Sequence, residues 1–374
     1  MTTVIGSVLK SISITQNRTL DVFVTGATGN VGMEVLKCLL STTKKNATKT
    51  NDSEFADAEP PLRRRSLNIY AGVRQLNAST LSKFHKELFN NDPSVRIVDT
   101  SSTNEPVAIF KKQDQGSSSD DDEAILLRLI PFDFKQHGGG EVFQRVLEGN
   151  SISEYLPKDG GFHRLFLMRP PDLSNIQRDM KPFLEFITHS RPANNNSTTT
   201  YLPEQIVFMS VLGAENNKFI PHYKIEQILK EHSQRVPYVF LRPSFFMQNL
   251  TTTHLKEIRD DSQLFMPAGN GSTSFIDVRD IAQAAARILT EENAEKYANK
   301  AFDLTGSEAL TYFEVAKKLS DACGRTIVYA NPSIPKFMFR TWKSNPDVPF
   351  TYVMVVTALY AGKFIVKQEQ YYYI

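Results

Sequence analysis

The stretch Thr25-Gly-Ala-Thr-Gly-Asn-Val-Gly32 limits what this chain can fold into more than any other. Before it stands Leu20-Asp-Val-Phe-Val-Thr25, an apolar run with β-branched residues that reads as a buried strand. After it, Val31, Val35, Leu36, Leu39 and Leu40 recur at helical spacing. Gly26 permits a tight turn out of the strand, Gly29 lets backbone come close to a pyrophosphate, and Gly32 lets the helix press against the strand. The helix start then offers free N–H groups and its positive dipole end to phosphates. A glycine turn that merely joined two packed elements would not need three glycines at this spacing. A strand before and a helix after are the context that gives the motif its meaning, so Thr25, Gly26, Thr28, Gly29, Asn30, Val31 and Gly32 are candidate cofactor contacts.

The same alternation continues. Strands are predicted at Leu67–Val73, Ile125–Phe134, His163–Met168, Gln205–Val211 and Tyr238–Leu241. Helices are predicted at Ser79–Phe89, Glu141–Leu147, Asn175–His189 and His222–His232. Strands separated by helices imply an α/β fold, a Rossmann-like doubly wound parallel sheet with helices on both faces. Two polar stretches, Ser41–Ser66 and Val95–Glu123, read as surface insertions; the second holds the acidic run Asp120-Asp-Asp-Glu123, and the first holds Arg63-Arg-Arg65, both read as solvated. Beyond Phe275-Ile-Asp-Val, Asp280 is placed to cap a helix over Ile281–Leu289. Thr311 and Glu314 form a capping box for a helix over Tyr312–Ala322, closed by Gly324. The expected organisation is an N-terminal extension (1–19), a nucleotide-binding domain (20–250), and a smaller, mostly helical substrate region (251–374) partly interleaved with it.

Composition excludes several classes. With 43 Lys+Arg against 41 Asp+Glu over 374 residues, the chain lacks the basic excess of a broad nucleic-acid binder. Its two cysteines, Cys38 and Cys323, supply neither a disulfide framework nor a Cys-rich zinc site, and are expected as buried small hydrophobes. The longest uncharged apolar run, Tyr352–Gly362, is far short of a membrane span. Met1–Arg18 has no secretory core; its Ser/Thr content, Lys10 and Arg18 without an acid have some features of a mitochondrial leader, but a plain extension and a cytoplasmic protein are the preferred reading.

Cofactor choice rests on the end of the second strand. A site for NAD normally carries Asp or Glu there to bond the ribose 2′-hydroxyl, whereas Arg accommodates a 2′-phosphate. This strand ends Ala71-Gly-Val-Arg74-Gln75, without an acid, and Arg74 offers a planar bidentate donor. NADP(H) is therefore expected over NAD(H).

The glycine stretch, Gly72-Val-Arg74, Phe132-Asp-Phe134, Arg169-Pro-Pro-Asp172, Leu241-Arg-Pro243 with Phe246 and Asn249, and Phe275-Ile-Asp277-Val-Arg-Asp280 together resemble the NmrA-like branch of the atypical short-chain dehydrogenase/reductases. The resemblance runs from about Leu20 to about Lys363. Within the branch it is similar to the fungal agroclavine and festuclavine dehydrogenase-like proteins. It implies that Asp133 and Phe134 lie near the adenine and that Met168, Arg169 and Pro170 line the cofactor groove. The two polar stretches are longer than that pattern needs, and Gln368–Ile374 does not match its usual C-terminal segment.

Typical short-chain dehydrogenases set Tyr and Lys four apart, one helical turn, so that the ammonium lowers the phenol pKa. Here Tyr223 is followed at that spacing by Gln227, and Lys224 at i+1 points elsewhere on a helix. Two readings follow. In one, the chain is an oxidoreductase passing hydride to a small, aromatic or heterocyclic acceptor such as an iminium or quinone, with Lys224, Tyr223 and Ser210 as candidate catalytic residues, His222 as a helix-start residue, and Phe245, Phe246 and Met247 walling the acceptor. In the other it binds NADP(H) without turnover, as a redox sensor for a regulatory protein partner. No metal is expected in either.

Overall fold

A computed structural model describes residues 19–48, 66–100, 105–113, 123–148, 151, 153–157, 161–173, 175–189, 202–344, 350, 353, 354 and 357. The start of the chain, Arg63–Arg65, most of the acidic run and the last residues lie outside them.

In chain order the first half comprises β1 (Leu20–Val24), α1 (Asn30–Thr48), β2 (Leu67–Val73), α2 (Ala78–Phe89), β3 (Val95–Asp99), β4 (Ala108–Gln113), β5 (Glu123–Pro131), α3 (Glu141–Leu147), β6 (Arg164–Met168), α4 (Ile176–Asp179) and α5 (Lys181–Thr188). Then follow β7 (Gln205–Met209), α6 (Pro221–Glu231), β8 (Tyr238–Pro243), β9 (Phe245–Phe246), α7 (Leu255–Asp260), β10 (Gln263–Leu264), β11 (Ser272–Ile276), α8 (Val278–Leu289), β12 (Lys300–Leu304), β13 (Ala309–Thr311), α9 (Tyr312–Cys323), β14 (Val328–Tyr329) and α10 (Ile334–Ser344).

Among the described residues the main sheet has nine strands in the order β12-β8-β7-β6-β1-β2-β5-β4-β3. Alternation along β1 explains why both its faces are covered. Val22 and Val24 point into an aliphatic layer with Val35, Leu36, Leu39, Phe84, Ile281 and Ala285, contributed by α1, α2 and α8. Phe23 points the other way, into an aromatic layer with Phe132, Phe143, Phe162 and Phe183; its ring centroid lies 4.7 Å from that of Phe143 and 4.8 Å from that of Phe162. A strand buried on both faces reads as a nearly continuous apolar run, which is what Leu20–Val24 is.

The structure departs from the sequence reading at five places. The sheet is parallel except at one edge, where β3, β4 and β5 pair antiparallel; Val95–Glu123 is therefore not simply an inserted loop, although residues 114–122 fall outside the described set. The polar stretch after Leu40 is not all loop, since α1 runs to Thr48. The helix expected over Asn175–His189 is two helices broken at Met180, because Pro182 near the start of α5 cannot donate to a preceding turn. The cap of α8 is Asp277, which accepts from the Arg279 N–H at 2.8 Å, rather than Asp280 in the first turn. Cys38 is half-buried and Cys323 exposed, not buried.

The region after Thr251 is joined closely to the sheet. β12 pairs parallel with β8, and α8 packs on α1. A third cluster, of Ile258, Leu264, Met266, Phe275, Tyr312, Val315, Ile327 and Tyr329, forms a separate small core. The capping box of α9 is as expected: the Thr311 side chain and Glu314 bond reciprocally, and Gly324 ends the helix at φ 63°.

Candidate functional site

Strand β1 sits between β2 and β6, and the chain leaves it for one side and returns on the other. At such a switch point the connections after the two adjacent strands diverge to opposite faces and leave a crevice beyond their C-terminal ends. The glycine turn closes one wall. Gly26 takes φ +63°, and an added Cβ there would lie 2.7 Å from Cε of Met168, on the opposite wall. A Cβ on Gly32 would run into the carbonyl oxygen of Gly26, backbone against backbone. The Gly29 N–H donates to the Gly26 carbonyl at 3.0 Å, which curls the turn. Thr28 and Asn30 are exposed and Val31 is buried in the aliphatic layer. The first N–H groups of α1 have no partner within the helix. The glycines let the turn curl tightly under Met168 and let α1 start hard against it, and such a turn, leading into free helix N–H groups, fits a pyrophosphate. Thr25 acts on the sheet instead. Its hydroxyl donates to the Phe166 carbonyl at 3.1 Å and accepts from the Met168 N–H at 2.8 Å, clamping β1 to β6.

At one end of the crevice, Arg74 is exposed just past β2 and donates to Oδ1 of Asp172 at 3.2 Å; Lys135 donates to Oδ2 of the same carboxylate at 3.2 Å. Partial burial pushes the Asp172 carboxyl up, and hydrogen bonds and charge from Lys135 and Arg74 more than offset it, holding it below the usual range. Lys83, from α2, donates to the Thr28 carbonyl at 2.7 Å. Lys83 and Lys135 were not singled out from sequence; a lysine in a helix or turn gives no signal until the fold brings it to the glycine turn, as with Lys83, or to the carboxylate it shares with Arg74, as with Lys135. Asp133 folds its own turn, accepting from the Lys135 N–H at 3.0 Å. Phe134 is buried, with its ring 4.9 Å from Phe132 and 5.1 Å from Phe183, so its side chain belongs to the aromatic layer.

At the other end, Met168 closes β6 and Arg169 and Pro170 follow it, all half-buried. The Arg169 guanidinium donates to the carbonyls of Pro170, Pro171 and Leu173 and shapes that loop. Tyr223 and Lys224 stand on the first turn of α6, half-buried and exposed respectively. Ser210 does not join them. It is buried, and its hydroxyl donates to Oε1 of Glu226 at 2.6 Å. Glu226 is itself fully buried and accepts from Nε and Nη2 of Arg242 at 3.0 and 2.7 Å. The serine's proton is spent on that ion pair, sixteen residues away in sequence. His222, beside Tyr223, is buried against the Phe208 ring, and its Nδ1 has no hydrogen-bond partner. Burial, then the charge of Arg169, pulls its pKa down to about 3, so the imidazole is neutral.

Of the aromatic wall, Phe245 lies in the small core, 5.2 Å from Phe275 and 6.3 Å from Tyr312. Phe246 is half-buried, and Met247 is exposed. Phe219, not anticipated, is 91% exposed in the connection between β7 and α6.

The open, twisted sheet, its switch point and the glycine turn define a Rossmann-type α/β fold. Residues 213–373 match the NmrA-like family. An NAD(P)H azoreductase from Xenophilus azovorans is 40% identical over 111 residues, 28% of this chain and 37% of that protein. An agroclavine dehydrogenase from Claviceps purpurea is 41% identical over 97 residues, 25% of this chain and 32% of that protein. The matched stretches thus span about a third of the length of these curated relatives. A solved NADPH-dependent quinone oxidoreductase from Escherichia coli, complexed with NADPH, has the same fold, with a TM-score of 0.58 at 15% identity over 93% of this chain and 92% of that one. Over residues 213–373, less than half of its length, the chain is similar to the NmrA-like family.

Proposed function

We propose that this protein is an NADP(H)-dependent reductase of small organic acceptors. The observation that carries it is the juxtaposition, across one switch point, of the glycine turn with Arg74 past the end of β2 and Lys135 past the end of β5, with no acid at the end of β2. Matched relatives named as dehydrogenases and reductases support the reaction class, and a solved relative of this fold complexed with NADPH supports the cofactor.

When bound, the nicotinamide supplies the hydride. The remaining work falls to the chain. The turn from Gly26 to Gly32 seats the pyrophosphate on the start of α1. Arg74 and Lys135 hold the 2′-phosphate, and Met168 and Pro170 fix the nicotinamide end. Tyr223 and Lys224 orient the acceptor, without the lysine one turn on that would acidify the phenol, since Gln227 stands there. His222, neutral and buried against Phe208, takes no part as an acid. Such a site suits an acceptor that takes hydride without simultaneous protonation, as an iminium carbon does; a quinone takes its proton from Tyr223 or water. Residues 20–250 carry the dinucleotide and the region after 251 closes the acceptor side, while β12 of that region adds the edge strand beside β8 and α8 covers the sheet beside α1. The proposed compartment is the cytoplasm; among the described residues no helix is long and apolar enough to cross a membrane.

The test is turnover. Purified protein is given NADPH and a panel of quinones and cyclic iminium compounds, and NADPH absorbance is followed. Consumption with at least one class supports the reductase. Tight NADPH binding with no consumption of any would overturn it in favour of a non-catalytic sensor that acts through a partner protein.

A further inference from the structure

The carboxylate of Asp172 comes from the loop after β6, yet its two partners, Arg74 and Lys135, follow β2 and β5. In the sheet β1 lies between β6 and β2, with β5 beyond β2. The loop therefore reaches across the C-terminal end of β1, where the glycine turn sits, to place an anion on the two cations beyond it. One carboxylate oxygen serves each cation, both at 3.2 Å. That arrangement, a compact anion with separate oxygens shared between a guanidinium and an ammonium, is also how a phosphate monoester is held. All three side chains are about half exposed, at 58%, 55% and 44%, so the bridge is accessible to a competing anion and is weak enough to exchange.

We infer that Asp172 is an internal competitor for the 2′-phosphate of the dinucleotide: it stands in for that phosphate on Arg74 and Lys135 and must leave them when the phosphate arrives. This rests on the NADP(H) reading above. The competition lowers the affinity for NADPH without affecting NADH, which brings no anion to the two cations. Asp172 is thus a specificity-determining residue that sets how strongly the protein prefers the phosphorylated cofactor. A carboxylate that instead only held the two cations in place would act in the opposite sense, since its removal would weaken NADPH binding.

The experiment is a calorimetric or fluorescence titration of the full chain with NADPH and with NADH, for the wild type and for Asp172→Asn, which keeps the shape and removes the charge. Two exposed ion pairs of ordinary strength correspond to NADPH binding tightened about three- to tenfold, with NADH altered by less than about twofold. Unchanged or weakened NADPH binding overturns the inference, and so does an equal gain for both cofactors, which would make the loop a general strap across the crevice. Arg74→Ala and Lys135→Ala keep the two levels apart. If they leave the NADPH/NADH ratio as it is in the wild type, the NADP(H) reading itself fails. If they collapse that ratio while Asp172→Asn has no effect, only the role of Asp172 is refuted. Thermal unfolding of Asp172→Asn serves as the control, and the exposed position predicts no shift.

Discussion

At Gly32 a methyl group would meet the carbonyl oxygen of Gly26 with neither backbone free to move, whereas at Gly26 the nearest atom is the flexible end of Met168. Gly32→Ala is therefore expected to cost about 1–3 kcal/mol in unfolding free energy and to abolish NADPH binding by pushing α1 off the turn; urea unfolding and a cofactor titration read the two effects separately. His222 makes a pH prediction. Its folded pKa of about 3 lies below the ordinary 6.5, so the unfolded chain takes up the proton first. The fold accordingly loses stability as pH falls through the window between those values, and is unaffected by this group above it. His222→Phe, which keeps the ring on Phe208, should show a smaller difference in unfolding free energy between about pH 7 and about pH 4 than the wild type. An unchanged difference would mean the imidazole is not buried as neutral. At this scale the glycines were legible because their reasons are local. Ser210 was not, because its partner Glu226 is brought to it only by packing of α6 on the sheet.

Among the elements, α6 is held to β7 and β8 by the group Ser210, Glu226 and Arg242, with Glu215 also 3.1 Å from Arg242. Removing either charged partner, Glu226 or Arg242, leaves the other's buried charge without its main counterpart. Arg242→Met is expected to destabilise by about 3–5 kcal/mol, while the double change Glu226→Leu with Arg242→Met recovers most of the loss, because desolvating two ions offsets much of their attraction. Chemical denaturation of the single and double variants distinguishes this from a pair that stabilises on balance. Elements with an apolar stripe were readable to within a residue or two: β1, β2, α2 and the box-capped α9. The failures have a common cause. The described end of α1 continues past Leu40 without an apolar stripe, so nothing in Ser41–Thr48 announces a helix. The β3–β4 hairpin sits at the sheet edge, where β3 is only partly buried and needs little apolar alternation. Asp277 and Asp280 are both plausible caps by residue type, and only the backbone angles of Asp277, φ −76° and ψ 137°, decide between them.

For the whole molecule, the alternation of strands and helices was enough to foresee the doubly wound sheet, and the glycine turn marked the strand ends on which the proposed dinucleotide site is built. The cation pair on Asp172 was not foreseeable, because Arg74, Lys135 and Asp172 come from three separate connections, after β2, β5 and β6, and meet only once the strand order is set. On that meeting the proposed choice of cofactor rests. The most direct test is calorimetric titration of the full chain with NADPH and, separately, with NADH. The expected result is one NADPH per chain, bound about tenfold or more tightly than NADH, as two cations on one phosphate would give, with the preference lost in Arg74→Ala. No heat with either cofactor, or equal affinity for both, would contradict an NADP(H) site at this switch point.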